Sequence, residues 1–181
     1  IEKCQITNNR GSSGGGAYLN YTTVDNCLIA NNTATNYGGG LYPYNYSVIN
    51  NSTIVANDAY QYGGVYTYYS NCYLNNCILW GNTATTGLQT NYSSILYSAV
   101  QDALTDTTCV MLSSSNTGSF NSPRFEAPAE GAGYQYVGSS WQLTDNSICI
   151  GRGSNNYVST PTDLAGNNRI QQGKVDMGGD V

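Results

Sequence analysis

Apolar and polar positions recur at a fixed interval along the first hundred residues. An aliphatic residue lies two positions after each anchor of the repeat, and an asparagine lies five positions after it. The anchors are Cys4, Cys27, Ser52 and Cys77, in steps of 23, 25 and 25 residues. The aliphatic residues are Ile6, Ile29, Ile54 and Leu79, and the asparagines are Asn9, Asn32, Asn57 and Asn82. Such a period indicates that each segment forms one structural unit.

The pattern inside each repeat predicts strands. Short stretches alternate apolar and polar residues, Gly and Asn separate them, and no helical period of 3.6 is present. We predict an all-β fold, a right-handed parallel β-helix of about four stacked coils, or rungs, of 23 to 25 residues. Residues at one position of successive rungs then form a column with a spacing of about 4.8 Å. The aliphatic columns should stack inside, and the asparagines should form an amide ladder along the axis.

We predict that residues 1–100 form the rungs and that residues 101–181 form a terminal β-helix and cap region, with the cap irregular. Glycine clusters at 14–16, 38–40 and 63–64 each precede an apolar residue and a tyrosine. Glycine suits a corner that needs a positive φ. The tyrosines that follow the three corners, Tyr18, Tyr42 and Tyr66, should form a further column.

Composition and charge exclude several classes of function. The 181 residues include 17 tyrosines but no histidine, which excludes His-based catalytic triads and His-ligated metal sites. The net charge is −5, and no Lys or Arg lies between Arg10 and Arg124, so we predict no nucleic-acid partner. No apolar run approaches the roughly 20 residues of a membrane span, so we predict no membrane insertion by this segment.

Two parts of the chain resemble known families. GGA at 15–17, GGL at 39–41 and GGV at 63–65, with the apolar-x-x-Asn pattern, resemble the repeats of polymorphic outer membrane proteins. SAVQ at 98–101, FNSPRF at 120–125, WQLTDNSICIGRG at 141–153 and TDLAGNNRIQQGKVDMGGD at 162–180 are similar to the end of the bacterial choice-of-anchor β-helix family. The resemblance implies an exported protein, extracellular or at the cell surface, with an anchor or sorting domain beyond this segment.

The resemblance also implies that five residues of this chain match the C-terminal motif of the choice-of-anchor family. They are Asp163, Gly166, Arg169, Asp176 and Gly178. A buried Arg169 paired with Asp163 or Asp176 would hold the cap on the last rung, which is a structural role.

Tyrosine is the most suggestive binding residue. Tyr42, Tyr44 and Tyr46 alternate along the chain, so one set should face outward if the other faces the core. Outward tyrosines on a nearly uncharged sheet offer ring faces and hydroxyls to a polysaccharide or a cell-surface glycan. The expected binding residues are Tyr44, Tyr46, Tyr68 and Tyr69. The alternative is that these tyrosines only cover the outside of a small solenoid.

One carboxylate pair and one cysteine pair share columns. Glu2 and Asp25 each lie two positions before the anchor, which leaves open a weak Ca²⁺ site, a glycosidase dyad or a solvated outer column. No other cofactor, no other metal site and no catalytic residue is predicted. Cys4 and Cys27 are either reduced members of a small-residue stack or a disulfide between neighbouring rungs.

Three functions remain open. The first is an exported adhesive or structural protein that binds carbohydrate through surface tyrosines. The second is a subunit of an extracellular filament that associates end to end, because Ile1 begins inside a rung whose edge is uncovered. The third is the non-catalytic C-terminal part of a pectin-lyase-like carbohydrate-active enzyme.

Overall fold

A computed structural model of the chain describes residues 1–69, 71–87, 89–91, 94–101, 106–129, 131–135 and 140–179. Asp180 of the predicted ending lies outside these residues. Parallel strands stack into a β-helix of about four turns, which confirms the predicted fold class. The one helical element in the described part is a short 3₁₀ turn, Asn155–Tyr157. No helix there is long and apolar enough to cross a membrane.

Three parallel sheets form most of the solenoid wall, and their strands are numbered in chain order. The central sheet runs β1 (Gln5–Thr7), β5 (Leu28–Ala30), β9 (Thr53–Val55), β12 (Ile78–Trp80), β15 (Ala99–Gln101) and β16 (Val110–Leu112). A second sheet contains β2 (Arg10–Ser13), β6 (Thr33–Tyr37), β10 (Asp58–Gln61) and β13 (Thr83–Thr86). A third contains β4 (Thr23–Asp25), β8 (Val48–Asn50), β11 (Tyr73–Asn75) and β14 (Ile95–Leu96).

Shorter elements complete the fold. In the rungs, β3 (Ala17–Leu19) pairs with β7 (Leu41–Pro43), and a bridge from Leu41 to Val65 extends this pair into the next rung. In the terminal region, β17 (Phe125–Ala127) pairs antiparallel with β18 (Ser140–Leu143). The last hairpin joins β19 (Ile170–Gln171) and β20 (Lys174–Val175).

The rung register is the predicted one. Ile6 pairs with Ile29, Ile29 with Ile54, and Ile54 with Leu79. The last three of these side chains are fully buried in the solenoid interior. One interior column therefore runs through four rungs, and it continues at Val100.

The predicted asparagine ladder is present. The side-chain amide of Asn32 donates to Asn57 Oδ1 at 3.0 Å, and that of Asn57 donates to Asn82 Oδ1 at 2.9 Å. The second hydrogen of the Asn57 amide reaches the backbone carbonyl of Ile29 at 3.0 Å. The ladder satisfies buried polar groups, so it ties successive rungs together inside the wall.

The cysteine column is a small polar stack. The backbone N–H of Cys4 donates to Cys27 Sγ at 3.4 Å, and that of Cys27 donates to Ser52 Oγ at 3.1 Å. Cys4, Cys27 and Cys77 are free thiols, so the disulfide interpretation does not hold. Burial raises the pKa of Cys77 to about 12, which keeps this thiol protonated.

The terminal region lies along the side of the solenoid. Leu28, Val55, Ile78 and Trp80 of the central sheet pack outward against terminal residues such as Trp141. The central strands carry apolar residues on both faces, as expected for a parallel sheet covered on both sides. Within the described part of the terminal region, β16 is the strand that extends the stack, by pairing with β15.

A segment of the terminal region, residues 154–162, runs back along the rungs, and we call it the strap. The side-chain amide of Asn76 donates to the Ser154 carbonyl, that of Asn51 to Tyr157, and that of Asn26 to Thr162, each at 2.8 Å. These asparagines occupy left-handed corners, with φ of 54°, 47° and 53° respectively. The strap therefore contacts three successive rungs.

Arg169 holds the terminal region at a different rung from the one predicted. This residue is buried, and its guanidinium donates to the Gly178 carbonyl at 2.8 Å and to Asn51 Oδ1 at 3.2 Å. Asn51 belongs to a middle rung, whereas the last rung was expected. The strap is the physical reason, because it brings the end of the chain back beside the middle rungs.

Candidate tyrosine surface

Glycine corners bring three rungs into close contact at one edge of the wall. The Gly40 N–H donates to the Gly63 carbonyl of the next rung at 2.9 Å. A Cβ on Gly39 would lie 2.3 Å from the Asp58 oxygen and 2.6 Å from the Gly63 oxygen, so no side chain fits there. The strand that leaves each corner places one tyrosine in register with the next.

The predicted tyrosine column forms the centre of this edge. The Tyr18 and Tyr42 ring centroids lie 5.1 Å apart, and the Tyr42 and Tyr66 centroids lie 5.2 Å apart. Both pairs meet edge to face, which is a favourable aromatic geometry. Tyr37 stacks on Tyr66 at 4.7 Å, and Tyr62 contacts Tyr66 at 5.7 Å.

A second line of rings lies beside the column. Tyr44 lies 5.8 Å from Tyr18 and 5.6 Å from Tyr68, with interplanar angles of 29° and 30°. Tyr69 contacts both Tyr44 and Tyr68, and its hydroxyl oxygen lies 3.4 Å from that of Tyr44. One connected network results, here called the tyrosine surface: Tyr18, Tyr37, Tyr42, Tyr44, Tyr62, Tyr66, Tyr68 and Tyr69.

Three of the four expected binding residues meet in this surface. Tyr44, Tyr68 and Tyr69 belong to it, but Tyr46 stacks on Tyr21 at 5.5 Å instead. Tyr46 has a φ of 39°, so it occupies a left-handed turn in which strand alternation no longer sets its direction. None of the described tyrosines is buried in the core. Tyrosines from both sets of alternating positions therefore lie on the outer surface of the solenoid.

The expected binding residues did not include five members of the tyrosine surface. They are Tyr18, Tyr37, Tyr42, Tyr62 and Tyr66. The signal was available for three of them, because the Gly-Gly-apolar-Tyr motif already placed Tyr18, Tyr42 and Tyr66 in one column. Tyr37 and Tyr62 immediately precede the glycine corners, and only the three-dimensional turn brings them against the column.

The tyrosine surface is electrically neutral. Residues 14–21, 38–46 and 62–69 contain no Asp, Glu, Lys or Arg. Burial and the neighbouring phenols raise the pKa of Tyr42 to about 12. Burial also raises the pKa of Tyr66, and the hydrogen bond to Tyr44 raises that of Tyr69. The three hydroxyls therefore stay protonated well above neutral pH.

Alkaline pH should destabilise the fold through these phenols. Unfolded tyrosine titrates near pH 10, whereas Tyr42 holds its proton to about pH 12. The unfolded chain loses this proton first, so the contribution of Tyr42 to stability is constant below pH 10 and falls between pH 10 and about 12. Urea midpoints measured across this range should show the decrease, and Tyr42→Phe should reduce its slope. A single ordinary tyrosinate titration in the folded protein would contradict this assignment.

Asn20, Asn45 and Asn71 follow the tyrosines of the surface closely in the chain, and we call them the asparagine border. The Asn45 amide donates to Asn20 Oδ1 at 3.0 Å, and the Tyr46 N–H donates to Asn71 Oδ1 at 3.4 Å. Amide groups and phenol hydroxyls thus lie beside exposed ring area. Such a surface can contact an apolar face and hydrogen-bond to hydroxyl groups at once.

The predicted carboxylate pair has the expected register but separate environments. Glu2 pairs with Asp25 as neighbouring residues of adjacent rungs. Glu2 is exposed, whereas Asp25 is only 4% exposed because the strap covers it. Asp25 accepts hydrogen bonds from the Asn51 amide at 2.7 Å and from the Ser159 hydroxyl. The solvated-column interpretation is therefore wrong for Asp25, while the Ca²⁺ and glycosidase interpretations stay predictions.

The terminal region contains a polar cleft of about 510 Å³. Asp145 and Lys174 line it, together with the buried Asp163 and Asp176. Asp163 accepts from the Asn167 N–H at 2.7 Å, and Asp176 accepts from the Gly151 N–H at 2.5 Å. These two carried-over aspartates thus hold loop backbone in place. Within the described ranges, no three His, Cys, Asp or Glu side chains group to hold a metal ion.

Comparison of this chain with protein-family models, curated proteins and solved structures gives no match. The tyrosine surface therefore has to be interpreted from its own geometry and chemistry.

Proposed function

We propose that this chain belongs to an exported, extracellular or cell-surface β-helix protein of adhesive type, and that the tyrosine surface binds carbohydrate. One observation carries the proposal: eight tyrosine rings form a connected, uncharged network on stacked rungs. The export component is supported by the resemblance of residues 98–180 to the choice-of-anchor β-helix ending.

The chemistry of the rings suits a sugar ligand. A sugar presents an apolar C–H face and a rim of hydroxyls, and tyrosine presents an apolar ring and a hydroxyl. Tyr18 is 54% exposed and Tyr68 is 58% exposed, so ring area remains available after the rings have packed on one another. The rungs hold the rings in position, which lowers the entropic cost of binding. A tyrosine layer that only covers the solenoid would not need this exposed area.

A glycan array on the purified chain tests the proposal. We expect binding to at least one glycan and a loss of about tenfold or more in the double variant Tyr44→Ala/Tyr68→Ala, because each aromatic contact contributes about 0.5–1.5 kcal/mol. The matched control is Tyr60→Ala/Tyr73→Ala, which removes two exposed rings outside the tyrosine surface. This control should bind like the unmodified chain.

The alternatives give different results in the same assay. Equal losses in the two double variants would show that the tyrosine surface has no special role. Absence of binding to every glycan would overturn the carbohydrate proposal. Release of shorter sugars from a bound glycan would instead favour the enzyme alternative.

A further inference from the structure

Three rings of the tyrosine surface form a line along the solenoid axis. Tyr18, Tyr44 and Tyr68 come from three successive rungs and lie 5.8 and 5.6 Å apart, centroid to centroid. The Tyr18–Tyr44 pair is stacked at 29° and the Tyr44–Tyr68 pair is tilted at 30°, and at these centroid separations the rings are offset from one another. An offset leaves part of each ring uncovered, so the line presents one aromatic contact per rung. From this geometry we infer that the surface binds a linear, uncharged polysaccharide that lies along the axis, an inference that rests on the proposed function.

The spacing of the line favours an extended chain over an isolated sugar. The ring separation is close to the length that one pyranose unit occupies in an extended polysaccharide. Successive sugar units can therefore contact successive rings without a change in the backbone of either partner. Because all contacts belong to one ligand, each added unit should increase affinity until the line of rings is filled.

The lack of positive charge at the tyrosine surface disfavours acidic polysaccharides. Carboxylate and sulfate groups are bound most strongly by Arg and Lys, and no such residue lies between Arg10 and Arg124. Removing an anionic group from water without a cationic partner is costly. The net charge of −5 adds repulsion at longer range. An uncharged glycan meets neither penalty.

The asparagine border supplies hydrogen bonds along the same direction. Asn20 and Asn45 are linked across neighbouring rungs at 3.0 Å, beside Tyr18 and Tyr44. The hydroxyl oxygens of Tyr44 and Tyr69, 3.4 Å apart, provide further hydrogen-bonding groups. Hydroxyl groups at the edge of a neutral sugar chain match these amide and phenol groups.

Calorimetric titration with defined oligosaccharides tests the inference. The neutral probes are cello-, manno- and xylo-oligosaccharides of increasing length, and the acidic comparator is oligogalacturonate of matched length. For at least one neutral series we expect affinity to rise from the monosaccharide to the trisaccharide and then to level off. The acidic series should bind at least tenfold more weakly than that series.

Three single variants test whether the line of rings determines binding. Tyr18→Ala removes the ring at one end of the line and should weaken binding of the longer neutral sugars about two- to tenfold, with little change for the disaccharide. Tyr18→Phe keeps the ring and should retain most of the affinity. Tyr73→Ala, an exposed ring elsewhere, should leave binding unchanged.

The outcomes separate this inference from the proposed function. Binding that does not depend on length, or that favours the acidic series, would overturn the linear neutral ligand while leaving the carbohydrate-binding surface in place. Failure of both series and of the glycan array would overturn the two together. Length-dependent neutral binding that is lost in Tyr18→Ala supports both.

Discussion

Asn57→Ala is expected to lower the free energy of unfolding by about 3–6 kcal/mol, because it leaves several buried polar groups without partners. Asn57 Oδ1 accepts from the backbone N–H of Asn32 at 2.9 Å and from its side-chain amide at 3.0 Å. The Asn57 amide donates to the Ile29 carbonyl at 3.0 Å and to Asn82 Oδ1 at 2.9 Å. An alanine replaces none of these hydrogen bonds. Urea unfolding followed by circular dichroism measures the loss.

The matched control for this variant is Asn36→Ala. Asn36 is an exposed residue of β6, so its replacement should change stability by no more than about 0.5 kcal/mol. A loss of the expected size is a large part of the 5–15 kcal/mol that typically stabilises a domain. If Asn57→Ala and Asn36→Ala unfold at the same urea concentration, the ladder does not stabilise the solenoid.

Gly39→Ala should lower stability by about 3 kcal/mol or more, at the upper end of what overpacking costs. The added Cβ would lie 2.3 Å from the Asp58 carbonyl oxygen and 2.6 Å from that of Gly63. Both atoms belong to the backbone of the neighbouring rung, so they cannot move aside without disturbing the ladder of hydrogen bonds. Because Tyr42 follows this corner, weaker glycan binding should accompany the loss. Thermal unfolding and the glycan assay measure the two effects.

Gly11→Ala provides the comparison within the same class of substitution. A Cβ on Gly11 meets its nearest atom at 3.5 Å, which is ordinary contact, so this variant should unfold close to the unmodified chain. Equal melting temperatures for Gly39→Ala and Gly11→Ala would show that the rungs can separate at the corner. The glycine requirement there would then come from something other than rung spacing.

The columns could be predicted because a solenoid converts a sequence period into contact in space. The alignment of Ile29 with Ile54, and of Asn32 with Asn57, follows from counting residues once the period is recognised. The position of the terminal region could not be obtained in this way, because it does not repeat. The sequence indicates its docking face only indirectly. Central strands such as Ile78–Trp80 are apolar at every position, which implies that their outer face is also covered.

The candidate site was predictable as far as the strands extend. Tyr42 lies within β7, and its pairing with Tyr18 follows from the register. Tyr44 and Tyr46 lie beyond the strand, where a left-handed residue redirects the chain and ends the two-residue alternation. Turn conformation therefore decides which of the later tyrosines join the surface, and the sequence pattern does not specify it.

The strap changes how this solenoid can come apart. A repeat protein whose rungs touch only their neighbours can lose terminal rungs one at a time. Here one segment is bonded to Asn26, Asn51 and Asn76, across sequence separations of 136, 106 and 78 residues. Opening any one of these rungs therefore disturbs the strap, which also contacts the other two. The three rungs should unfold together as one cooperative unit. The same long-range contacts form only after the rungs exist, so assembly of the strap is a late event of folding.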